Sequence, residues 1–245
     1  MVVLSILKLA VVGLDTLIVA LVVLAVALFD QRAAYRICQL WVRLNLLVCG
    51  VRVRVRRLAP LDPTRPYVFV SNHRSQYDIP GLVAALPEFQ LRWVAKKELL
   101  RVPFFGWALR RAGHVIVDRS DHAQAVASLR AARAQMVEGV SVMIFPEGTR
   151  GSIARGLLPF KKGGFMLALE TGFPIVPMAV LGSGEILPRG AWRPVPGEIE
   201  VVVGAPIPVD GVARDELIRR VRAFMLQQLG IPEPGAGRAA TAEAV

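Results

Sequence analysis

Two side chains able to handle a proton, His73 and Asp78, stand five residues apart in the stretch "NHRSQYD" (72–78), directly after the apolar run "YVFVS". Imidazole is the side chain whose ordinary pKa lies nearest neutrality. If Asp78 accepts a hydrogen bond from one ring nitrogen, the other nitrogen is left basic and points outward, as in a triad without its serine. The nucleophile would then be a hydroxyl of the substrate. A plainer reading stands beside this one. Asp78 as a helix N-cap would place Pro80 at the second helical position, where its missing N–H is harmless, and His73 would be a surface loop residue. The spacing alone leaves both open.

A second stretch, "FPEGTR" (145–150), follows the apolar run "SVMIF". Gly148 and Thr149 offer backbone N–H groups and a hydroxyl, and Arg150 offers a planar fork of donors matched to phosphate. Glu147 would repel an anion, so it fits there only by binding hydroxyls or by holding a basic partner. The alternative is a turn with a salt-bridged arginine. Other basic residues gather in "VAKKELLRVPFFGWALRRAGHVIVDR", which holds Lys96, Lys97 and Arg119, and in "GLLPFKKGGF", which holds Lys161 and Lys162. Lys96, Arg119 and Lys161 are candidate anion-binding residues of this set.

These residues need a scaffold. Period-two or continuous apolar runs predict strands at "VRVRVRR" (51–57), 67–71, 91–95, 114–118, 141–145, 174–180 and 199–204. Helical patterns lie near 79–86, 121–138, 162–171 and 213–229. The expected fold is α/β: a mixed sheet of about seven strands flanked by helices, with an N-terminal membrane-associated helical segment. His73 then sits between a buried strand and a helix start, where function concentrates in such sheets. The expected division is residues 1–50 as membrane-anchoring helices, 51–229 as the α/β domain, and 230–245 as a disordered Pro-, Gly- and Ala-rich tail.

Composition sets outer limits. The chain has 245 residues, is 54% apolar and carries a formal net charge of +11; its mean hydropathy is +0.48. Apolar and basic together suggest a protein on anionic lipid, or one handling anionic substrates. Charge alone would admit nucleic acid, but no zinc-finger spacing or RNA-recognition motif is present. Walker A, GxGxxG and GxSxG patterns are also absent. Cys38 and Cys49, if on one helix, lie about 16 Å apart, too far for a disulfide.

Residues 2–29 are almost wholly apolar, interrupted by Lys8 and Asp15. They predict a retained membrane helix, spanning or re-entrant. In the next segment Ile37, Leu40, Trp41, Leu44, Leu47 and Val48 follow helical spacing, with Arg32, Arg36 and Arg43 expected opposite: a basic amphipathic helix for a headgroup layer, or one docked on the protein's own core. Arginines crowd the region after Asp30, so the bulk of the protein is expected on the cytoplasmic side.

Six stretches, "NHRSQYD", "KKELLRVPFFGW", "GHVIVDR", "FPEGTR", "LLPFKKGGF" and "FPIVPMAV", occur in this order. In order and spacing they resemble the lysophosphatidate acyltransferase family (1-acylglycerol-3-phosphate acyltransferases) over about residues 65–185. The resemblance implies catalysis by His73 and Asp78, and acceptor-phosphate binding by Arg119 and by Glu147, Gly148, Thr149 and Arg150. It further implies lysophosphatidate as acceptor, acyl-CoA or acyl-carrier protein as donor, a lipid bilayer as partner, and neither cofactor nor metal. Pro174 and Pro177 would be structural or related to the acyl chain. Other acceptors, such as a lyso-ornithine lipid, and a non-catalytic membrane protein that keeps the anion site are the competing expectations.

Overall fold

The computed structural model describes residues 2–102, 104–117, 122–151 and 156–232. Its centre is a seven-stranded sheet: β1 (Val51–Arg57), β2 (Val68–Ser71), β3 (Leu91–Lys96), β4 (Val115–Val117), β5 (Ser141–Ile144), β6 (Ile175–Leu181) and β7 (Gly197–Val203). The spatial order is β1-β7-β6-β2-β5-β3-β4. The strands β6, β2, β5, β3 and β4 run parallel; β7 is antiparallel to β6, and β1 is parallel to β7. The sheet is therefore mixed, and each strand expected from the sequence is present.

Among the described residues, eight α-helices accompany it: α1 (Val2–Val26), α2 (Gln31–Cys49), α3 (Asp78–Ala85), α4 (Phe105–Arg111), α5 (His122–Val137), α6 (Gly163–Thr171), α7 (Ser183–Ile186) and α8 (Arg214–Leu229). The sheet is covered on both faces, so its central strands alternate between two cores rather than between core and water. In β2, Phe69 joins Tyr35, Leu46, Leu82 and Leu86 from α2 and α3 with its flanking loops. Val68 and Val70 instead join Met136, Phe165, Leu217 and Val221 from α5, α6 and α8.

One buried strand residue is charged. Arg92 on β3 is 1% exposed; its guanidinium lies over the Tyr35 ring of α2 at 5.5 Å and donates to the Leu91 carbonyl. The cation thus rivets α2 to the sheet by a contact that hydropathy patterns do not reveal.

α2 departs from its expected orientation. Its buried side carries Ala34, Tyr35, Val42, Asn45, Leu46 and Cys49, while Leu40, Leu44 and Leu47 are exposed. At about 100° per residue, Arg36 and Arg43 flank that leucine stripe instead of opposing it. Arg32 is occupied, donating to the Glu138 carbonyl at 2.6 Å. α2 therefore both docks on the core and presents an apolar stripe outward. The two cysteines of this helix are free thiols.

α1 packs on α2 and α4. Small residues, Ala27, Ala34, Ala108 and Ala112, let the three approach closely around Val23. Polar pins fix the pair: Asn45 donates to the Asp15 carboxylate at 3.2 Å and Trp41 to the Thr16 hydroxyl at 3.3 Å. Asp15, the charge inside the apolar run, thus faces α2. Side-chain surroundings in α1 are described from Ala10 onward, and no helix among the described residues is long and apolar enough to cross a membrane.

Two short helices, α4 and α7, and a 3-10 turn at Lys97–Arg101 are additions to the sequence reading. The turn and α4 meet where a Cβ on Gly106 would lie 2.6 Å from the Leu100 backbone, so the approach needs glycine. Of the expected tail, residues 233–245 lie outside the described residues.

Candidate active site

The loops after β2, β5 and β6 converge at one edge of the sheet, outside the carboxyl ends of three neighbouring parallel strands. This is where ligand sites form in open α/β sheets.

The loop after β2 is fixed by its own polar side chains. Asn72 is fully buried and pairs both ways with β6: its amide donates to the Val180 carbonyl at 2.9 Å and its oxygen accepts from the Val180 N–H at 2.8 Å. Ser75 donates to the Leu187 carbonyl at 2.9 Å and accepts from the Tyr77 N–H. His73 follows Asn72, so its backbone position is set by a side chain that mimics a strand.

His73 and Asp78 meet. The His73 Nδ1 lies 2.7 Å from Asp78 Oδ2, with the imidazole partly exposed and the carboxylate fully buried. The ring stacks on Phe145, centroids 3.9 Å apart and planes 9° from parallel; Phe145 in turn stacks on Trp93 at 5.6 Å. Apolar walls thus hold the ring plane while Asp78 fixes its rotation, leaving Nε2 as the remaining basic atom.

The N-cap reading of Asp78 is only half met. Asp78 is the first residue of α3, and Tyr77 occupies the cap position with no side-chain hydrogen bond. The Asp78 carboxylate reaches back instead, accepting from the N–H groups of Arg74 at 2.7 Å and Ser75 at 2.8 Å. The same Oδ2 therefore orders the histidine loop and orients the ring. Pro80 falls at the third helical position, still within the turn whose N–H groups need no helical partner.

Glu147 has a different part from the one its place in "FPEGTR" suggests. It is 4% exposed, and both oxygens serve the backbone: Oε1 accepts from the His73 N–H at 2.9 Å and Oε2 from the Leu158 N–H at 3.0 Å. Burial pushes its carboxyl pKa up, opposed by these hydrogen bonds and by His73 and Arg74 nearby. Glu147 thereby ties the histidine loop to two points of the connection between β5 and α6. Gly151 adds a further tie, donating to the His73 carbonyl at 2.8 Å.

The remaining candidates surround this core. Gly148 has a φ of 70° and makes the turn that turns Thr149 outward, exposed, with Arg150 half-buried beside it. Arg189, on the loop after α7, donates to the Arg150 carbonyl at 3.4 Å. Lys161 is exposed, and its N–H donates to the Pro146 carbonyl at 2.8 Å, tying its loop to "FPEGTR". Lys96 is exposed at the end of β3, two strands from β2. Arg119 lies outside the described residues.

Three contributors escape the sequence reading. Phe145 is read only as the end of a strand and the start of "FPEGTR", and Arg189 is not singled out. Ser183, 1% exposed at the start of α7, donates to Asp78 Oδ1. Its faint signal is "LGSGEI", a Gly-Ser-Gly turn at a strand end.

A loop histidine oriented by a buried carboxylate, at the carboxyl edge of a parallel sheet and beside basic residues, is an arrangement able to act as a general base. Comparison with known proteins gives the family. The family model described as Acyltransferase matches residues 52–181. The 1-acyl-sn-glycerol-3-phosphate acyltransferase of Pseudomonas aeruginosa is 34% identical over 215 residues, 83% of this chain and 80% of that protein. The alpha form from Homo sapiens is 36% identical over 181 residues, 72% of this chain and 63% of that one. The crystal structure of the 1-acyl-sn-glycerophosphate (LPA) acyltransferase PlsC from Thermotoga maritima shares the fold: TM-score 0.74, 24% identity, 94% of each chain. The chain belongs to the acyltransferase family.

Proposed function

We propose that the protein moves a fatty acyl group from acyl-CoA or acyl-carrier protein to the 2-hydroxyl of lysophosphatidate, giving phosphatidate. The observation that carries this reading is the His73 Nδ1 to Asp78 Oδ2 contact of 2.7 Å on a loop clamped from three sides. The names of the relatives from Pseudomonas aeruginosa and Homo sapiens support the acceptor.

In this reaction His73 Nε2 takes the proton of the 2-hydroxyl as that oxygen attacks the thioester carbonyl. Asp78 holds the Nδ1–H tautomer and stabilises the imidazolium. When the tetrahedral intermediate collapses, the C–S bond breaks and the imidazolium returns its proton to the leaving thiolate. The nucleophile comes from the acceptor and the leaving group from the donor, so the chemistry calls for no cofactor. General-base assistance is worth about 10²–10⁴-fold, so positioning must supply much of the rest. Arg150, Thr149, Gly148 and Arg119 hold the acceptor's phosphate, with Lys96 and Lys161 adding positive potential at the rim; Glu147 sets the loop.

The acceptor and product are lipids, and the proposal puts the protein on a bilayer through α1 and α2, with the catalytic domain on the cytoplasmic side. Exposed Leu14, Leu17, Ile18, Leu21, Leu40, Leu44 and Leu47 support this, as do the arginines that follow Asp30.

Purified protein, a radiolabelled acyl donor and a panel of lysolipids including lysophosphatidate and a lyso-ornithine lipid test the reading. Lysophosphatidate should be the best acceptor, and His73→Ala should lose at least about 100-fold in turnover with an unchanged melting curve. Retention of more than about a tenth of the activity removes His73 from the mechanism.

A further inference from the structure

The two oxygens of Asp78 are served unequally. Oδ2 accepts from His73 Nδ1 and from the N–H groups of Arg74 and Ser75, all within its own loop. Oδ1 accepts from one described residue far away in the chain, the Ser183 hydroxyl. Both Asp78 and Ser183 are shielded from water, at 0% and 1% exposure. A buried carboxylate oxygen that loses its donor has no water to replace it, so this bond bears on both the charge and the rotation of the group.

The surroundings hold Ser183 in place for that bond. Gly182 has a φ of 81°, and a Cβ there would lie 2.3 Å from the Glu198 carbonyl oxygen, so the chain turns sharply out of β6 only with glycine. The turn delivers Ser183 directly under Asp78. One helical turn on, the Leu187 N–H donates to the Ser183 carbonyl at 3.1 Å, and the Leu187 carbonyl accepts from Ser75 at 2.9 Å. The α7 segment is thus tied to the histidine loop at both ends, once through each serine.

We propose that Ser183 is a positioning residue for the reaction: its hydroxyl holds the Asp78 carboxylate in the ionised state and in the rotation that aims Oδ2 at His73 Nδ1. Ser183 touches neither the attacking oxygen nor the thioester. It acts through Asp78, and the inference rests on the His73–Asp78 reading above. With the hydroxyl gone, the carboxylate charge is less well stabilised, and the coupled pair holds a proton more tightly. The base then becomes available only at higher pH. Charged or titratable groups on the loops around the pair include Arg74 on the same loop, Tyr77 beside Cys49 of α2, Glu147 and Arg150 after β5, and Glu185 and Arg189 on and after α7; α2, β1 and β7, which pack on α3 or α7, carry further arginines together with Glu198 and Glu200. None of them is changed by the variants below.

The test uses the full-length enzyme on lysophosphatidate-containing vesicles, with Ser183→Ala, Ser183→Cys, Ser183→Thr and His73→Ala compared. Ser183→Ala should lower kcat by about 10- to 100-fold, leave both KM values within about twofold, and move the acidic limb of the kcat–pH profile to higher pH by half a unit or more. Ser183→Thr, which keeps the hydroxyl, should recover most of kcat and the original limb. Should the alanine variant not fold, the cysteine variant carries the same comparison, since a thiol fills the space but donates weakly. An unchanged kcat overturns the proposal, as does a fall in kcat with the acidic limb unmoved, or a change confined to KM. Full activity in His73→Ala would instead overturn the dyad reading itself, whatever Ser183 does.

Discussion

At the scale of single residues, the roles at this site divide by what each polar atom already does. Glu147 and Asn72 hydrogen-bond backbone N–H and C=O groups of the histidine loop, of the connection after β5 and of β6, so they shape the site. Arg150 differs: it is half-buried on the rim, and its backbone carbonyl, not its fork, takes the bond from Arg189. Arg150→Ala should therefore raise the acceptor KM more than the donor KM, by about 10-fold or more if a bidentate phosphate contact of 1.5–3 kcal/mol is lost. Steady-state kinetics with each substrate varied in turn decide it, and a purely donor-side effect would move Arg150 to the CoA or carrier-protein surface. For His73 and Asp78, residue type and spacing left a catalytic pair and a plain helix start both open, and the order of the six stretches favoured the pair. Ser183 was not legible, since it lies 105 residues from its partner and nothing local marks a serine as a carboxylate donor.

At the scale of elements, the strands were legible because β2, β5 and β6 are short apolar runs bounded by polar turns, and burial on both faces leaves no other arrangement. The α4 and α7 helices were not, because seven and four residues are too few to show a helical period. Nor was the orientation of α2. Its apolar residues outnumber those its core-facing side requires, so spacing could not say which of them docks, and Arg92 beneath it chooses Tyr35.

The same junction makes a pH prediction. His114, just before β4, accepts a hydrogen bond from the Trp93 N–H at 3.1 Å through Nδ1, which fixes the neutral ring. Burial, together with the Arg92 charge, pushes its pKa down to about 3 from 6.5. A base with a depressed folded-state pKa stays neutral in the fold while the unfolded chain takes up the proton. Its contribution to stability is therefore whole above pH 6.5 and is lost as pH falls toward 3, at up to about 1.4 kcal/mol per pH unit. Melting curves at pH 7, 5.5 and 4.5 should show wild type losing more stability than His114→Gln across that range. Parallel losses in the two proteins would mean that His114 takes up its proton in the fold.

At the scale of the whole molecule, the question is which surface carries the protein to its lipid. Of the three arginines expected to face headgroups, Arg32 is already bonded to the Glu138 carbonyl, which leaves Arg36 and Arg43. Beside them Leu40, Leu44 and Leu47 form an exposed stripe, with Leu47 at 78% exposure, and Phe29 at the turn before α2 is 92% exposed. Two arginines near an anionic surface are worth about 1 kcal/mol each, whereas burying a leucine is worth about 1.5–3 kcal/mol. Three leucines therefore outweigh two arginines by about twofold or more. On vesicles containing anionic lipid, Arg36→Gln with Arg43→Gln should leave most of the full-length protein sedimenting, but should weaken the part of binding that salt screens. Leu40→Asp, Leu44→Asp and Leu47→Asp together should release substantially more protein at any salt concentration, while turnover on a detergent-dispersed acceptor stays within a few-fold of wild type. The leucines point away from the core, so the melting curve should hold as well. If the arginine pair alone frees the protein, the stripe does not enter the bilayer, and attachment rests on headgroup charge.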